Sequence, residues 1–550
     1  MRSSLPAVAL LLLASTLPAT SAEVAGQQAR TGSVLEHTLV PHGRARAQLG
    51  LVFSGWNRRF GLAPDGTEEL EPIGRDLTDP TSLSLFPGMP ALQGAVRDAT
   101  GLSAWDPVLG ATSTRIKHDV TTIDFGLHVG VFDWLTVGGV LPWVETRTVV
   151  DQLFVPDTVA GNLGVSPTVF NASGVELFLA SASGADVAAG ERATSICAGG
   201  PSAACTDAQA LAARAAAFSS AMDAAYSATP FFPLAGTPSA DALTAEAASL
   251  SADLTAAGLG GLAPLLLASD RVTSDGFALL PTLAGGGIEA APLQTRKLLH
   301  GPGDLELSAR VRLLDNLTPE WTGGRTFPVD RAEARAAGPW LGYRVTASFL
   351  TRLPTGTNED PDDLLDIARS DAQLDFEGGA TATLRFGRLL GLTAGARYGI
   401  QGSTTLTKRV AAPEVVLAPL STRREVTFDP GDYLIVGIAP QLHVTEALSL
   451  HAEYRLFRKN PDRYALLVPD AGLDVTVLEA ESRVEQHQIG GGLRYDAVAP
   501  WRAGAEGYPV EVHFRVVHSY AGSGGQTPAV TRVEAGVRIF QRLWGPRGQS

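Results

Sequence analysis

The sequence predicts an all-β chain: a transmembrane, antiparallel, up-and-down β-barrel of about twelve strands, with a long Ala-rich helical insert in one external loop. Three observations lead there. About a dozen segments alternate apolar and polar residues with period two, so each has one greasy and one polar face. An export signal opens the chain. The connections between strands alternate between short and long, as in barrels that turn tightly on one side of a membrane and loosely on the other.

The clearest unit is Asp371 to Gln401. Leu374, Phe376, Ala380, Ala382, Leu384 and Phe386 share one face, and Asp375, Glu377, Thr381, Thr383 and Arg385 the other. After a Gly387-Arg388 reversal, Leu390, Leu392, Ala394, Ala396, Tyr398 and Ile400 alternate with Thr393, Arg397 and Gln401. This is a hairpin, strands six and seven of the chain.

The chain begins with Arg2, an apolar run from Ala7 to Ala14, and Thr20-Ser21-Ala22. This reads as a secretory signal peptide, residues 1–22, cleaved near Ala22. Residues 23–44 read as a periplasmic lead. No later run reaches about 18 apolar residues, so no membrane-spanning helix is expected. The net charge of −14 argues against nucleic acid as a partner. Cys197 and Cys205 lie close together and could close a small loop in an oxidising compartment.

Strands one to three fall within 45–149: Ala45 to Trp56, Ile123 to Val131, and Leu135 to Trp143. Residues 57–114 form a long loop and a candidate plug; Asp133-Trp134 is a tight turn. The block 150–300 breaks the pattern and is the external helical insert. Leu211, Ala215, Phe218, Met222 and Tyr226 recur at helical spacing, as do Leu243, Ala247, Leu250 and Leu254. A helical hairpin is expected, with Thr206 and Gln209 as a capping box and Gly258 ending the second helix. Its apolar stripe fits helix–helix packing better than a ligand site.

Strands four to twelve occupy 301–544, and 545–550 is a tail. They are Asp304 to Leu313, Tyr343 to Arg352, the hairpin, Asp432 to His443, Leu448 to Leu456, Arg483 to Tyr495, Val510 to Val516 and Arg532 to Ile539. Connections after strands two, six, eight and ten read as short, and those after one, three, five, seven and nine as long. The one after strand four is longer than the barrel rule expects.

What separates a barrel from a soluble sandwich is the second face, which is charged with both signs on most later strands. The candidates for the lumen are Asp304, Glu306, Arg310, Arg344, Asp375, Glu377, Arg385, Arg397, His451, Glu453, Arg455, Glu511, His513, Arg515, Arg532, Glu534 and Arg538. Pairing of these arginines with these carboxylates would brace a narrow barrel or line a polar path. Trp56, Trp134, Trp143, Trp340, Tyr433, Tyr495, Trp501, Tyr508 and Trp544 lie at or beyond strand ends, where interface girdles place aromatics.

Gly301-Pro-Gly-Asp-Leu-Glu-Leu-Ser-Ala-Arg-Val-Arg-Leu, with Leu353-Pro354-Thr355-Gly356, resembles the G-x-G-D strand opening and L-P-T-G turn of an outer-membrane β-barrel family of transporters associated with the meta-cleavage pathway of phenol degradation. The similarity is clearest over about Gly301 to Gln401. The resemblance implies a porin-like outer-membrane barrel and passage of small aromatic or hydrophobic solutes.

Other chemistry finds less support. Ser449 and His451 share a face and Ser519 follows His518, but no barrel-hydrolase motif surrounds either pair. Asn358, Asp360 and Asp362 begin like an EF-hand loop, but Asp363 replaces the glycine and Arg369 the closing glutamate. Gly285-Gly286-Gly287 opens no helix after a strand. No catalytic residue, cofactor or metal ligand is therefore assigned. The expected role is a channel for small hydrophobic or aromatic solutes in the bacterial outer membrane, with lipid and the barrel-assembly machinery as partners. The alternatives are a surface-interaction or structural barrel using the 150–300 insert, and a lipid-modifying barrel enzyme.

Overall fold

The computed structural model describes residue 36 and residues 38–544, except 64, 294–296, 318–339, 372, 446 and 499–507. The signal segment, the 545–550 tail and Trp501 lie outside the described residues.

Twelve long strands carry the architecture: β1 Arg44–Trp56, β2 Gly110–Phe132, β3 Leu135–Pro156, β4 Leu305–Asp315, β5 Leu341–Leu353, β6 Asp375–Phe386, β7 Leu390–Gln401, β8 Tyr433–His443, β9 Leu448–Lys459, β10 Val484–Asp496, β11 Val510–Ser523 and β12 Thr531–Arg542. Each pairs antiparallel with its neighbours in the chain. β12 returns to β1, from Arg44 opposite Arg542 to Gly55 opposite Thr531. The ring is closed, so no strand of it presents an unpaired edge. The start of β1 and the end of β12 lie at one rim, and the turns at 133–134 and 387–389 lie there too. The connection after β10 breaks the expected short pattern: it spans 497–509.

The polarity of the ring is the reverse of a soluble sandwich. Its apolar faces point outward: Leu49, Leu51, Phe125, Leu127, Phe376 and Ile400 are all exposed, and Phe349 is 70% exposed. Its charged faces are buried: Asp375 is 1% exposed, and Glu377, Glu511 and Arg515 are buried with it. Two sheets sharing a dry core would show the opposite. The apolar belt runs from Trp134 up to Trp143 on β3, both exposed. That is about 30 Å of strand, or roughly 23 Å of height at a barrel's usual tilt. Just above it, outward ion pairs begin, Lys117 with Asp119 at 3.1 Å and Arg115 with Asp151 at 3.8 Å. Trp134, Trp143, Trp340, Tyr495, Tyr508 and Trp544 are exposed as a girdle requires. Trp56 and Tyr433 are not: both are buried and face inward, because their positions have the parity of the polar face.

β2 and β3 outrun their neighbours. β2 pairs with β1 only as far as His118; from Lys117 to Gly110 its partner strand is β3, with one bridge from Thr112 to Asp79 of the loop after β1. This two-stranded stalk carries a helical cap at the end of the barrel opposite the 387–389 turn. The long helices there are α1 Met89–Thr100, α2 Ala172–Cys197, α3 Ala203–Ala228 and α4 Pro238–Ala256. No described helix is long and apolar enough to cross a membrane. Phe178, Phe218, Met222, Leu243 and Leu250 make one core with Leu92 of α1 and Phe154 of β3. The expected helical hairpin is thus three long helices. α2 escapes a reading based on large apolar residues because Ala182, Ala185 and Ala189 supply much of its buried stripe. The cap of α3 is Ser202, whose side chain accepts from Cys205 N–H, and Thr206 lies inside the helix. Gly258, at φ +75°, does end α4: its N–H reaches the Thr255 carbonyl and Leu259 N–H the Leu254 carbonyl, the paired bonds of a left-handed glycine stop. A disulfide joins Cys197 and Cys205.

The 57–109 loop belongs mainly to this cap. α1 packs on its core, and a short strand, Arg58–Leu62, pairs with Glu68–Pro72 and with Thr527–Pro528. Of the loop, Ile73 packs on a small cluster of inward-facing residues at the barrel mouth.

Candidate functional site

Period two does the placing. Residues of one parity on each strand converge on the interior, where side chains from non-adjacent strands meet.

The first cluster centres on Arg352 of β5. Its Nε donates to Glu306 Oε1 at 2.9 Å and its Nη1 to the Tyr433 hydroxyl at 2.7 Å. Asp375 and Glu377 lie 3.6 Å away. Tyr433 donates to Glu377 at 2.9 Å, and Arg397 pairs with Glu377 at 3.0 Å. Tyr433 is on β8, three strands round the ring from β5, so these bonds span the interior. Glu377 bonds both β5 and β8 side chains from β6, between them.

The second cluster centres on Arg515 of β11. It pairs with Glu453 of β9 at 3.2 Å and with Glu534 of β12, which also binds Arg532.

The third lies near the rim where β1 starts and β12 ends. Here the partner comes from outside the strands. Glu36 contacts Arg538, lies 3.8 Å from Arg310 and 4.0 Å from Arg46. Arg310 donates to the Thr38 carbonyl at 3.0 Å, Arg494 to the Thr38 hydroxyl at 2.9 Å, and Val40 N–H to Thr136 Oγ1 at 2.9 Å. Glu511 binds Arg494 at 2.7 Å and Arg538 at 2.6 Å. The 23–44 stretch reads as a periplasmic lead in the sequence. Its described part instead enters the barrel, and Glu36 joins strands β4 and β12 across the lumen.

The other candidates fall elsewhere on the inner wall. Arg344 pairs with Asp315 at 3.2 Å, and Arg385 donates to the Arg388 carbonyl at 3.4 Å near the turn. Arg455 is buried, and His451 and His513 are half-buried. Asp304 lies just before β4. It accepts from Gly356 N–H at 3.2 Å and from Ser370 Oγ. Sequence reasoning missed Glu36, Arg46, Arg352, Tyr433 and Arg494. Arg352 had a signal, since it closes the polar face of strand five. Glu36 had none, because a non-periodic lead does not advertise where it docks.

The two motifs that carry the family resemblance interlock. The Thr355 hydroxyl donates to the Gly303 carbonyl at 2.8 Å and accepts from Leu305 N–H at 2.9 Å. A Cβ on Gly356 would stand 3.2 Å from the Gly303 Cα and 2.6 Å from the Ser370 Cβ, so only glycine fits the crossing.

Ser449 Oγ donates to the Arg494 carbonyl at 3.5 Å, and His518 Nδ1 bonds Thr531 at 2.9 Å. Asp362 of the acidic loop pairs with Arg409 at 3.0 Å and Arg423 at 3.4 Å. The arrangement can brace a barrel and partition its interior.

No protein-family model matches the chain, and no curated protein matches it. Among solved structures, it is similar to an outer membrane channel from Pseudomonas putida F1, at 8% identity, covering 92% of this chain and 98% of that one, with a TM-score of 0.40. It is similar to the toluene transporter TbuX of Ralstonia pickettii at 10% identity, covering 96% of each chain, with a TM-score of 0.27. It is also similar to the translocator domain of the autotransporter NalP from Neisseria meningitidis at 8% identity, covering 92% and 90%, with a TM-score of 0.27. Superpositions this loose carry no argument about this chain, and its architecture stands on its own strand pairing.

Proposed function

We propose that this chain is an outer-membrane barrel that passes small hydrophobic or aromatic solutes. The observation that carries the reading is the reversed polarity of a closed ring, apolar outside and ionic within. Only a lipid surround favours that arrangement, because water would leave the whole apolar belt exposed. The G-x-G-D and L-P-T-G resemblance adds the solute class. Ion pairs reaching between non-adjacent strands, and Glu36 between β4 and β12, argue against a wide aqueous pore.

The test is conductance in planar bilayers together with uptake of an aromatic acid and of toluene by liposomes. Low ionic conductance with uptake of the aromatic solutes is expected. A large, unselective conductance would overturn the reading, as would recovery of the mature protein in soluble periplasmic extract.

A second reading keeps the barrel and moves the function to the cap, whose surface exposes Phe170, Leu177 and Val187. Replacing residues 157–293 by a short Gly–Ser linker separates the two. Solute uptake that survives this deletion assigns transport to the barrel; a loss confined to binding at the cell surface assigns the function to the cap.

A further inference from the structure

The chain enters and leaves the helical cap through four adjacent strands. Residue 57 follows β1, β2 and β3 make the stalk, and 297–304 lead into β4. The far side of the cap rests on the connection between β7 and β8. β7 is four strands round the ring from β3, and β8 is six from β2. Contact there is noncovalent, and it centres on one side chain.

Arg409 ends the short strand Thr404–Arg409, which follows β7, and it is buried. A guanidinium carries five N–H groups, and this one makes five bonds. Nε donates to the Pro361 carbonyl at 3.0 Å. Nη1 donates to the Ile288 carbonyl at 2.5 Å and the Ala418 carbonyl at 2.7 Å. Nη2 donates to the Glu289 carbonyl at 3.1 Å and to Asp362 Oδ1 at 3.0 Å. Ile288 belongs to the core of the cap. Pro361 and Asp362 lie in the β5–β6 connection, and Ala418 in the β7–β8 connection. Three parts of the outer end therefore meet on one cation.

The cap's side is shaped for this contact. Three successive carbonyls face across it: that of Gly287 accepts from Leu420 N–H at 2.8 Å, and those of Ile288 and Glu289 accept from Arg409. Gly285 and Gly287 have φ of +74° and +79°, and Glu289 holds φ +48°, a left-handed backbone that a residue with a side chain rarely adopts. Ala291 N–H donates to the Asp362 carbonyl at 2.6 Å. Leu417 adds an apolar contact, since it comes from the β7–β8 connection and is buried in the core of the cap.

We propose that the cap is a lid over the outer mouth, hinged on the stalk and latched at Arg409, and that release of this latch admits solutes to the barrel. The inference rests on the channel reading above and supplies its gate. The chain itself ties the cap to the ring on the stalk side, so only the far side is free to lift. Four of the five acceptors of Arg409 are neutral carbonyls. Water replaces such bonds at small net cost when the contact parts, so the lifted form lies within thermal reach. The helices share one apolar core, so the cap moves as a body.

Amide hydrogen exchange of the full chain in lipid vesicles tests the latch. In Arg409→Met, the two amides that bond across the contact, Ala291 and Leu420, should exchange about tenfold faster, while those inside α2, α3 and α4 keep their rates. Leu417→Ala loosens the same contact without touching a charge and should act in the same direction; it gives a second route should Arg409→Met not fold, as judged by heat-modifiable migration. Unchanged exchange at Ala291 and Leu420 in both variants would overturn the latch. Faster exchange throughout the three helices would overturn the lid, because the cap would then be unfolding instead of lifting. Toluene uptake by liposomes of the same variants tests the gate, and it should rise about tenfold with the open fraction. Uptake equal to that of the unsubstituted chain, with the faster exchange present, sinks the gate and leaves the channel. No uptake by any of the three proteins, with the exchange pattern as expected, sinks the channel and leaves the latched lid.

Discussion

The Thr355 side chain ties the start of β4 to the end of β5 by bonding Gly303 and Leu305 on both sides of one strand opening. Those residues sit in stretches fifty positions apart in sequence, and one hydroxyl serves as donor to one and acceptor from the other. Thr355→Val keeps the shape and removes both bonds. It leaves a carbonyl and an N–H to find water, at a cost of about 1–3 kcal/mol. Limited proteolysis should then cut within 354–374 sooner, while the barrel still migrates as folded. An unchanged cutting rate would mean that the bonds of Gly356 N–H to Asp304 and of Arg369 N–H to Thr357 hold this connection without it.

The outward belt makes a prediction about depth. Leu127 lies midway along it, exposed and paired with Gly139. Leu127→Arg should cost about 2–4 kcal/mol in reversible unfolding from lipid vesicles. Val159, at 92% exposure in the cap connection, should tolerate arginine within about 0.5 kcal/mol. Equal costs at the two positions would argue that the belt does not meet hydrocarbon.

Arg515 reports how dry the interior is. It lies between Glu453 and Glu534 with all three buried. Arg515→Met should destabilise by about 3–5 kcal/mol if water is scarce there, and adding Glu453→Gln should recover part of it. A cost under about 1 kcal/mol would mark a solvated lumen and an open pore.

Asp79, in the loop after β1, gives a pH dependence. Burial raises its pKa, but donors from Ser84 and Thr81 outweigh that and hold it below the ordinary carboxylate value. A carboxylate lowered on folding contributes stability above its unfolded value and loses it as pH falls through the folded one. Protease resistance of the 57–109 loop should therefore be flat from neutral pH down to roughly 4 and fall below that. Asp79→Asn should lack the acid-dependent fall. A fall centred near neutrality would assign the anchoring to another group.

The twelve-stranded ring was legible because period two is local, and because its charged face distinguishes each strand from an ordinary buried one. Hairpin β6–β7 needed nothing beyond its own alternation. Girdle aromatics were half legible. Trp56 has the parity of Arg46 and Ser54, so its inward aim could be read from β1. β8 hides Tyr433, because Leu434, Val436 and Ile438 on one face and Ile435 and Ala439 on the other are all apolar or small. The Ala-rich α2 has too little contrast between its faces to stand out. Glu36 depends on arginines from four strands converging, and that is a property of closure that no single segment contains.

The seam between β1 and β12 leaves Gly43, just before β1, beside Trp544, just after β12, with Leu543 and Trp544 N–H both bonded to the Gly43 carbonyl. A circle has no first member. If Trp544 were spliced to Gly43 and the backbone cut at the 387–389 turn, every register in the ring would survive, and a permuted gene would encode the same cylinder. That order of synthesis would free the segment carrying Glu36 to be removed outright, making it possible to ask what the wall does without its occupant.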